Sequence, residues 1–337
     1  MSYGPDEPSD GATAVPAAAQ SASESRVGRD PSLPIEIGLV NNMPDAALRA
    51  TERQIRGLLD RSCGDLRFNL RVYIIPEVPR SQTGRELARN YRDIDELWHT
   101  ALDGLIVTGT EPRTDDLRAE PYWDTLTRLM EWADEHTTSS VWSCLAAHAA
   151  LQHMDGIERR RLAQKRFGVF DCTRETDHLL TQGLPQRLRM PHSRWNELAV
   201  EDLVKGGYSV LTRSPEAGAD AFVKQNRSLF LFFQGHPEYD ADTLILEYRR
   251  DIGRYLRGER ETYPAVPRGC FDDAVVVQQL QMLRLLAARH RNEATLTAFP
   301  LGLATNHAEN SWRDTATALY RNWLQYLAAS SRRVRAA

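Results

Sequence analysis

The segment SSVWSCLAAHAAL, from residue 139 to residue 151, has the pattern of a strand followed directly by a helix. Its first five residues include a β-branched and an aromatic residue and are typical of a short buried strand. The alanine-rich remainder indicates a helix. Cys144 stands at the junction of the two. A cysteine at that point is either a small packed side chain or a nucleophile at a strand-to-helix turn.

The segments that precede it continue the same alternation of strand and helix. Predicted strands are IEIGLV (Ile35–Val40), LRFNLRVYII (66–75) and DGLIVTGT (103–110), and predicted helices are ALRATERQIRGLLDR and PYWDTLTRLMEWADEH. Strands that alternate with helices predict an α/β fold with a parallel sheet. Functional sites of such sheets lie at the carboxyl ends of the strands, where Thr108, Gly109 and Cys144 fall.

The second half of the chain contains short strands and then long helices. GYSVLTRS, AFVKQ and LFLFFQGHPEYD are predicted strands with turns between them, and ADTLILEYRRDIGRYLRG is a helical pattern. Apolar residues three to four apart predict a further helix in 272–292, and SWRDTATALYRNWLQYLAA predicts the last one. We therefore expect one domain over residues 35–330, with a helical insertion at about 267–297. The Ala-, Ser- and Pro-rich residues 1–34 are predicted to be a disordered tail, and 331–337 a second tail.

Composition excludes several classes of protein. The net charge of −4 argues against nucleic-acid binding, and no apolar run reaches the roughly 18–20 residues of a membrane span. The start of the chain has no basic segment followed by an apolar core, so no secretory signal is expected. The four cysteines lie far apart without a CxxC pair, which favours free thiols in a reducing cytoplasm. No Cys/His cluster has the spacing of metal ligands, so no metal is expected.

The candidate chemistry is that of a cysteine nucleophile. At the start of a helix Cys144 faces the positive end of the helix dipole, which favours a thiolate, and the backbone N–H of Leu145 is placed to hold an oxyanion. His236 follows a very apolar strand in a Gly-His-Pro-Glu turn, and Glu238 lies two residues later. Nucleophile, base and orienting carboxylate together predict a catalytic triad. The competing interpretation is a packed cysteine and a solvated loop histidine.

The order of these residues, a cysteine elbow and then a distant His-x-Glu, resembles class I glutamine amidotransferase-like proteins. Longer segments resemble one branch, the MetA-type homoserine O-acyltransferases. They are DGLIVTGT, YWDTLTRLMEWADEHTTSSVWSCLAAHAAL, MPHSRW, GHPEYDADTLILEYRRD and SWRDTATALYRNWLQYL, in order from about residue 35 to residue 327. This resemblance implies a flavodoxin-like, mostly parallel sheet flanked by helices, with added C-terminal helices. It also implies an acyl-CoA co-substrate with no bound cofactor, homoserine as acceptor, a role in methionine biosynthesis and a homodimer.

The family's functional residues transfer to matching positions of this chain. The nucleophile matches Cys144, the catalytic histidine matches His236 and the triad glutamate matches Glu238. Substrate-binding residues of the family match three further positions: Lys165, Ser193 and Arg250. An arginine binds a substrate carboxylate well, because its guanidinium donates two parallel hydrogen bonds.

The chain departs from the family in two loops. Asp45 and Ala46 stand where the family has a pair of lysines after Met-Pro, and the role of those lysines is vacant or has moved to a residue such as Arg49. At the position that separates succinyl from acetyl donors in the family, ungapped counting places Arg113, whereas a one-residue shift of the alignment brings Glu111 or Pro112 closer. An arginine pairs with the free carboxylate of a succinyl group, so we expect a succinyl donor.

The predicted reaction is a ping-pong transfer through a Cys144 acyl-thioester. Four alternatives stay open: an acetyl donor, a different hydroxy or amino acceptor, a glutamine amidotransferase-type hydrolase, and a catalytically silent relative. The missing elbow glycines (the amidotransferase pattern is Gly-x-Cys-x-Gly) argue against the hydrolase.

Overall fold

The structure is a computed structural model that describes Met1 and residues 33–330. The predicted tails, residues 1–34 and 331–337, therefore lie outside the described residues, apart from Met1, Leu33 and Pro34.

The strands of the described chain form one ten-stranded sheet. They are β1 (Ile35–Val40), β2 (Phe68–Ile74), β3 (Arg92–Asp93), β4 (Gly104–Val107), β5 (Ser139–Ser143), β6 (Arg160–Arg174), β7 (Arg187–Glu197), β8 (Ser209–Ser214), β9 (Gly218–Gln225) and β10 (Leu229–Phe233). Their order across the sheet is β3-β2-β1-β4-β5-β10-β9-β8-β6-β7. The first six run parallel, and the pairings from β10 to β7 are antiparallel.

Helices cover both faces of this sheet. They are α1 (Leu48–Ser62), α2 (Gln82–Ala88), α3 (Ile94–Leu97), α4 (Trp123–His136), α5 (Leu145–Asp155), α6 (Val200–Lys205), α7 (Thr243–Leu256), α8 (Ala274–Arg289), α9 (Leu301–Asn306) and α10 (Arg313–Ala329). Three short 3-10 turns lie at Leu117–Ala119, Leu179–Thr181 and Glu293–Ala298.

The central strands are buried on both faces, which explains their uninterrupted apolar sequences. All five residues of β5 are buried, and Val141 and Trp142 belong to separate apolar clusters on opposite faces. In β10, Leu231 and Phe233 join the cluster of Val141, whereas Phe230 and Phe232 join that of Trp142. The predicted α/β fold with a mainly parallel sheet and flanking helices is confirmed.

Two features went unpredicted. The long strands β6 and β7 form an antiparallel hairpin at one edge of the sheet, although their sequences are too polar to stand out as strands. The short β3 at the opposite edge pairs only with Tyr73 and Ile74 of β2. The region 267–297 contains α8, and its status as an insertion stays a prediction.

Candidate active site

Cys144 occupies a strained turn between β5 and α5. Its φ of 51° is the only positive φ at a non-glycine residue in the described part of the chain. Such a conformation costs roughly 1–3 kcal/mol and is found at functional sites, including the nucleophile elbow of α/β enzymes. The turn is held on both sides, because the Cys144 N–H donates to the Phe233 carbonyl at 2.7 Å and its carbonyl accepts from the His148 N–H at 3.1 Å.

The elbow presents backbone donors beside the thiol. Leu145 begins α5, and N–H groups of a first helical turn have no partner within their helix. The loop after β4 lies directly over this point, since a Cβ added at Gly109 would come within 2.9 Å of the Leu145 nitrogen. Gly109 therefore permits a close approach that a larger residue would prevent.

His236 and Glu238 lie in the turn that follows β10, the neighbour of β5. The His236 Nδ1 and the Glu238 Oε1 are 2.8 Å apart, and both side chains are buried. The Cys144 elbow lies beside this turn, because β5 and β10 are parallel neighbours, and the Cys144 sulfur is close enough to raise the pKa of His236. The backbone of the turn is fixed by a 2.9 Å bond from the His236 N–H to the Pro191 carbonyl. The structure thus brings together the three residues predicted for the triad.

Charge at His236 is stabilised by its neighbours. Burial by itself lowers the pKa of His236, but the Glu238 carboxylate and the Cys144 sulfur outweigh burial, so the pKa lies well above its usual value. The imidazole can therefore hold a proton between the sulfur and the carboxylate, as a general base next to a thiol must.

A second cluster gathers Lys165, Ser193 and Arg250 around two carboxylates of α7. The Lys165 Nζ lies 3.0 Å from the Asp251 Oδ2 and 3.5 Å from the Glu247 Oε2. The Ser193 hydroxyl donates to the Glu247 Oε2, and the Arg250 guanidinium donates to the Asp251 Oδ1 at 2.9 Å. The three predicted substrate-binding residues, which come from β6, β7 and α7, therefore meet at one place.

Sequence reasoning missed the two carboxylates of that cluster. Burial alone raises the pKa of Glu247 and of Asp251, but Lys165 and Arg250 outweigh burial and hold both below their usual range. Both acids are therefore charged at neutral pH. Their spacing of four residues on a predicted helix, on the same side as Arg250, is the signal that would have found them.

Tyr239 connects the two clusters and was also missed. Its ring stacks on His236 with centroids 4.3 Å apart, and its hydroxyl donates to the Glu247 Oε1 at 2.5 Å. The triad and the lysine–serine–arginine cluster are consequently one continuous site.

Comparison with known proteins identifies the family. A sequence model of the homoserine O-succinyltransferase family matches residues 16–333. The chain belongs to this family. Proteins named homoserine O-succinyltransferase are 49% identical in Rhodopseudomonas palustris (96% of this chain and 97% of the relative), 46% in Bradyrhizobium japonicum (91% and 94%) and 43% in Methylorubrum extorquens (86% of each). Family membership confirms the resemblance drawn from the sequence and the prediction of an acyltransferase enzyme.

Among solved structures, similar chains include glutamine amidotransferases. One from Methylobacillus flagellatus has a TM-score of 0.49 at 15% identity, over 90% of this chain and 99% of that one. Another from Thermotoga maritima has a TM-score of 0.46 at 12% identity, over 88% and 99%. Within the residues that the structure describes, no helix is both long and apolar enough to cross a membrane.

The loop expected to select the acyl donor lies between α7 and the start of β6. Glu111 forms two hydrogen bonds with Arg254 of α7, at 2.7 and 2.8 Å. The Arg113 side chain is exposed, and its backbone N–H donates to the Glu120 Oε1 at 2.5 Å. Arg159 donates to the Asp115 carbonyl at 2.9 Å from the other side. Contacts with Arg254 and Arg159 therefore hold the loop on two sides. The exposed Arg113 guanidinium takes no part in these contacts.

Arg194 is a buried cation close enough to Cys144 to interact with its sulfur. Arg194, in the Pro-His-Ser-Arg segment of β7, is 3% exposed and donates to the Asn196 carbonyl at 2.7 Å and to the Ala217 carbonyl. Burial lowers its pKa to about 10, and the Cys144 sulfur partly offsets this effect. Arg194 thus stays charged and adds positive potential near the thiol.

The other three cysteines, Cys63, Cys172 and Cys270, are free thiols away from this site. Burial raises the pKa of Cys270 to about 12 and also raises that of Cys172. Neither forms a thiolate at neutral pH, which suits packing rather than catalysis.

Proposed function

We propose that the protein transfers a succinyl group from succinyl-CoA to the hydroxyl of L-homoserine, as a step of methionine biosynthesis. The observation that carries this proposal is the 2.8 Å hydrogen bond between His236 and Glu238 in the turn next to the strained Cys144 elbow. Membership of the homoserine O-succinyltransferase family, and relatives of that name over almost the whole chain, support the substrates.

In the first half of the reaction His236 accepts the Cys144 proton and the sulfur attacks the thioester carbonyl of the donor. The oxyanion of the tetrahedral intermediate is held by the Leu145 N–H. The CoA sulfur leaves with the proton that His236 held, and a succinyl thioester remains on Cys144. One thioester replaces another, so this half is close to thermoneutral.

In the second half homoserine enters the cluster around Glu247. The cationic groups of Lys165 and Arg250 suit its carboxylate, while Glu247 suits its ammonium group. His236 removes the hydroxyl proton, the oxygen attacks the thioester, and Cys144 leaves as a thiolate that is protonated again by His236. The product is the O-succinyl ester. An ester is a much better leaving group than a hydroxyl, so the product is prepared for a later substitution.

The identity of the acyl donor depends on a single loop position, that of Arg113 or Glu111. Arg113 is exposed in the loop beside the elbow, and a guanidinium there pairs with the free carboxylate of a succinyl group. If Glu111 occupies the donor-selecting position instead, its carboxylate, already paired with Arg254, offers no partner to a succinyl carboxylate and an acetyl donor is favoured. An acetyl donor is therefore the second candidate.

Mass spectrometry of the intact protein tests the proposal. The enzyme is mixed briefly with succinyl-CoA, acetyl-CoA or a glutamine analogue, with Cys144→Ala as the control. We expect a succinyl adduct on the wild-type protein that is absent from the variant and is discharged by homoserine. Labelling by the glutamine analogue alone would indicate an amidotransferase-type hydrolase, and no labelling would indicate a silent relative.

We also propose that the enzyme needs no bound cofactor or metal and works as a homodimer in the cytoplasm. Free thiols support a reducing compartment. The outer side of α8 supports self-association, because five apolar side chains are more than a third exposed: Val275, Val277, Met282, Leu285 and Leu286. Light scattering after size exclusion should give the mass of two chains, and of one chain for Met282→Glu/Leu285→Glu. A wild-type monomer would exclude the dimer.

A further inference from the structure

An arginine-lined groove lies at the edge of the sheet, apart from the catalytic cluster. It has a volume of about 690 Å³. Five arginines and a single acidic residue line it: Arg49, Arg53, Arg56, Arg71, Arg92 and Glu52. None of these residues belongs to the triad or to the lysine–serine–arginine cluster.

The sequence builds this groove through the periodicity of α1. Arg49, Arg53 and Arg56 are spaced by four and three residues, so they lie on one face of the helix. Arg71 of β2 and Arg92 of β3 face them. Because β3 pairs only with Tyr73 and Ile74, the earlier part of β2 forms the floor of an open channel.

The groove is positive even after its internal ion pairs are counted. Arg71 and Arg92 pair with Glu36 and Glu96, at 3.0 and 2.7 Å, but both pairs are partly exposed to solvent and therefore weak. Within residues 33–330, Arg49 and Arg53 form no ion pair at all.

Glu52, the one acid of the lining, is already engaged. Its Oε2 accepts from the Tyr91 hydroxyl at 3.0 Å, and its Oε1 lies 3.3 Å from the Arg56 Nη2. A ligand with several negative charges would therefore meet unpaired guanidinium groups in this groove.

One end of the groove lies at the same end of the sheet as the nucleophile. Arg49 lies in the first turn of α1, just after the loop that leaves the carboxyl end of β1, and Arg92 pairs with Tyr73 near the carboxyl end of β2. Cys144 follows β5, and β4 and β1 stand between β5 and β2. Three strand spacings place the groove about 14 Å from the nucleophile across the sheet. An extended pantetheine arm spans a separation of this order.

We propose that this groove binds the 3′-phosphate and diphosphate of coenzyme A, while the pantetheine arm carries the acyl thioester to Cys144. The inference rests on the proposed function, because it needs an acyl-CoA donor. Arginine forks bind phosphate oxygens in pairs, and a row of them on one helix face matches a ligand with separated phosphate groups. Arg49 and Arg53 carry the largest share, since they have no competing carboxylate.

The test measures binding of CoA and of pantetheine to the full-length protein by calorimetry. Arg49→Gln/Arg53→Gln should weaken CoA binding by about tenfold or more and leave pantetheine binding unchanged. The wild-type Kd for CoA should rise with salt more steeply than that of the variant. Arg61→Gln/Arg89→Gln, which removes two exposed arginines outside the groove, is the matched control and should bind CoA like the wild type.

The outcomes separate the groove from the reaction. If Arg49→Gln/Arg53→Gln binds CoA as tightly as the wild type does, the groove is not the CoA-binding site, even when succinyl transfer is intact. A variant that changes only the oligomeric state would overturn it too, because the arginines would then protect an open strand edge. Weakened CoA binding in a protein that transfers no succinyl group would support the groove and overturn the proposed function.

Discussion

The ring of Tyr239 lies flat on His236, with centroids 4.3 Å apart and planes inclined by 17°. The same tyrosine donates its hydroxyl to Glu247 at 2.5 Å. One side chain thus touches both the histidine of the predicted triad and the carboxylate at the centre of the lysine–serine–arginine cluster. The two proposed half-reactions share a base and require such continuity, because the acceptor hydroxyl must reach the same imidazole that accepts the thiol proton.

Replacing Tyr239 by Phe should separate the two halves of the reaction. The ring keeps its stacking on His236, but the charged Glu247 carboxylate loses the hydrogen bond that it accepts from the Tyr239 hydroxyl. We expect the KM for homoserine to rise about tenfold, while the rate of Cys144 acylation stays within about twofold of wild type. Rapid-quench mass spectrometry measures the first half and steady-state kinetics the second. Tyr239→Ala, which also removes the ring, should slow both halves; equal slowing of both halves by Phe would contradict this division.

Glu238→Gln should keep the shape of the triad and remove its charge. The amide can still contact His236, but the Glu238 charge is the main reason that the pKa of His236 is raised. We expect kcat to fall by about 10³–10⁴-fold. The inflection of kcat/KM that belongs to His236 should move to lower pH. Glu86→Gln, at an exposed position of α2, serves as control, and a pH profile identical to wild type would exclude the proposed role of Glu238.

Arg113→Ala tests the choice of donor. Removing an exposed guanidinium beside the elbow should lower kcat/KM for succinyl-CoA about tenfold more than for acetyl-CoA. Arg118→Ala, which removes an arginine paired with Asp116 in the same loop, should leave the ratio unchanged. If Glu111→Gln changes the ratio instead of Arg113→Ala, the donor position belongs to Glu111.

Replacing Asp220 by Asn should change the difference in stability from wild type in favour of the variant as the pH rises. Asp220 is fully buried and accepts from the Thr212 hydroxyl at 2.7 Å. Burial raises its pKa to about 6 in the folded state, from 3.8. The folded state therefore binds this proton more tightly than the unfolded chain does. The stabilisation that comes from the bound proton is lost as the pH rises through about 6.

The measurement for this pair is urea unfolding of both proteins at pH 5 and pH 8. The difference in unfolding free energy should shift in favour of the variant by about 1.4 kcal/mol between the two values. A difference that does not depend on pH would mean that Asp220 does not titrate in this range.

The triad could be predicted from the sequence because local patterns fix it. The apolar run of β5 ends at Cys144, and a helix pattern starts at once, so the elbow is visible in a dozen residues. The Gly-His-Pro-Glu turn likewise follows an apolar strand, and a side chain at Gly235 would collide with Asp220. Parallel neighbours end at the same edge of a sheet, which brings the two turns together.

The residues proposed to bind homoserine could be transferred from the family, whereas their own sequence surroundings do not reveal them. Lys165 and Ser193 lie on β6 and β7, whose polar sequences show little periodicity. Their roles depend on Glu247 and Asp251, which are 54 or more residues away in sequence. Only long-range packing reveals that contact.

Local patterns in the chain are therefore enough to predict the layered α/β fold, the elbow at Cys144 and the pairing of His236 with Glu238. Hydrophobic periodicity and turn residues are local signals, and the chain carries them in order. Tertiary structure alone decided which charges meet: Glu247 with Lys165 and Ser193, and the arginines of α1 with those of β2 and β3 in the open groove. These contacts depend on how separate helices and strands pack together. Burial sets the strength of each charge–charge interaction only after that packing is complete.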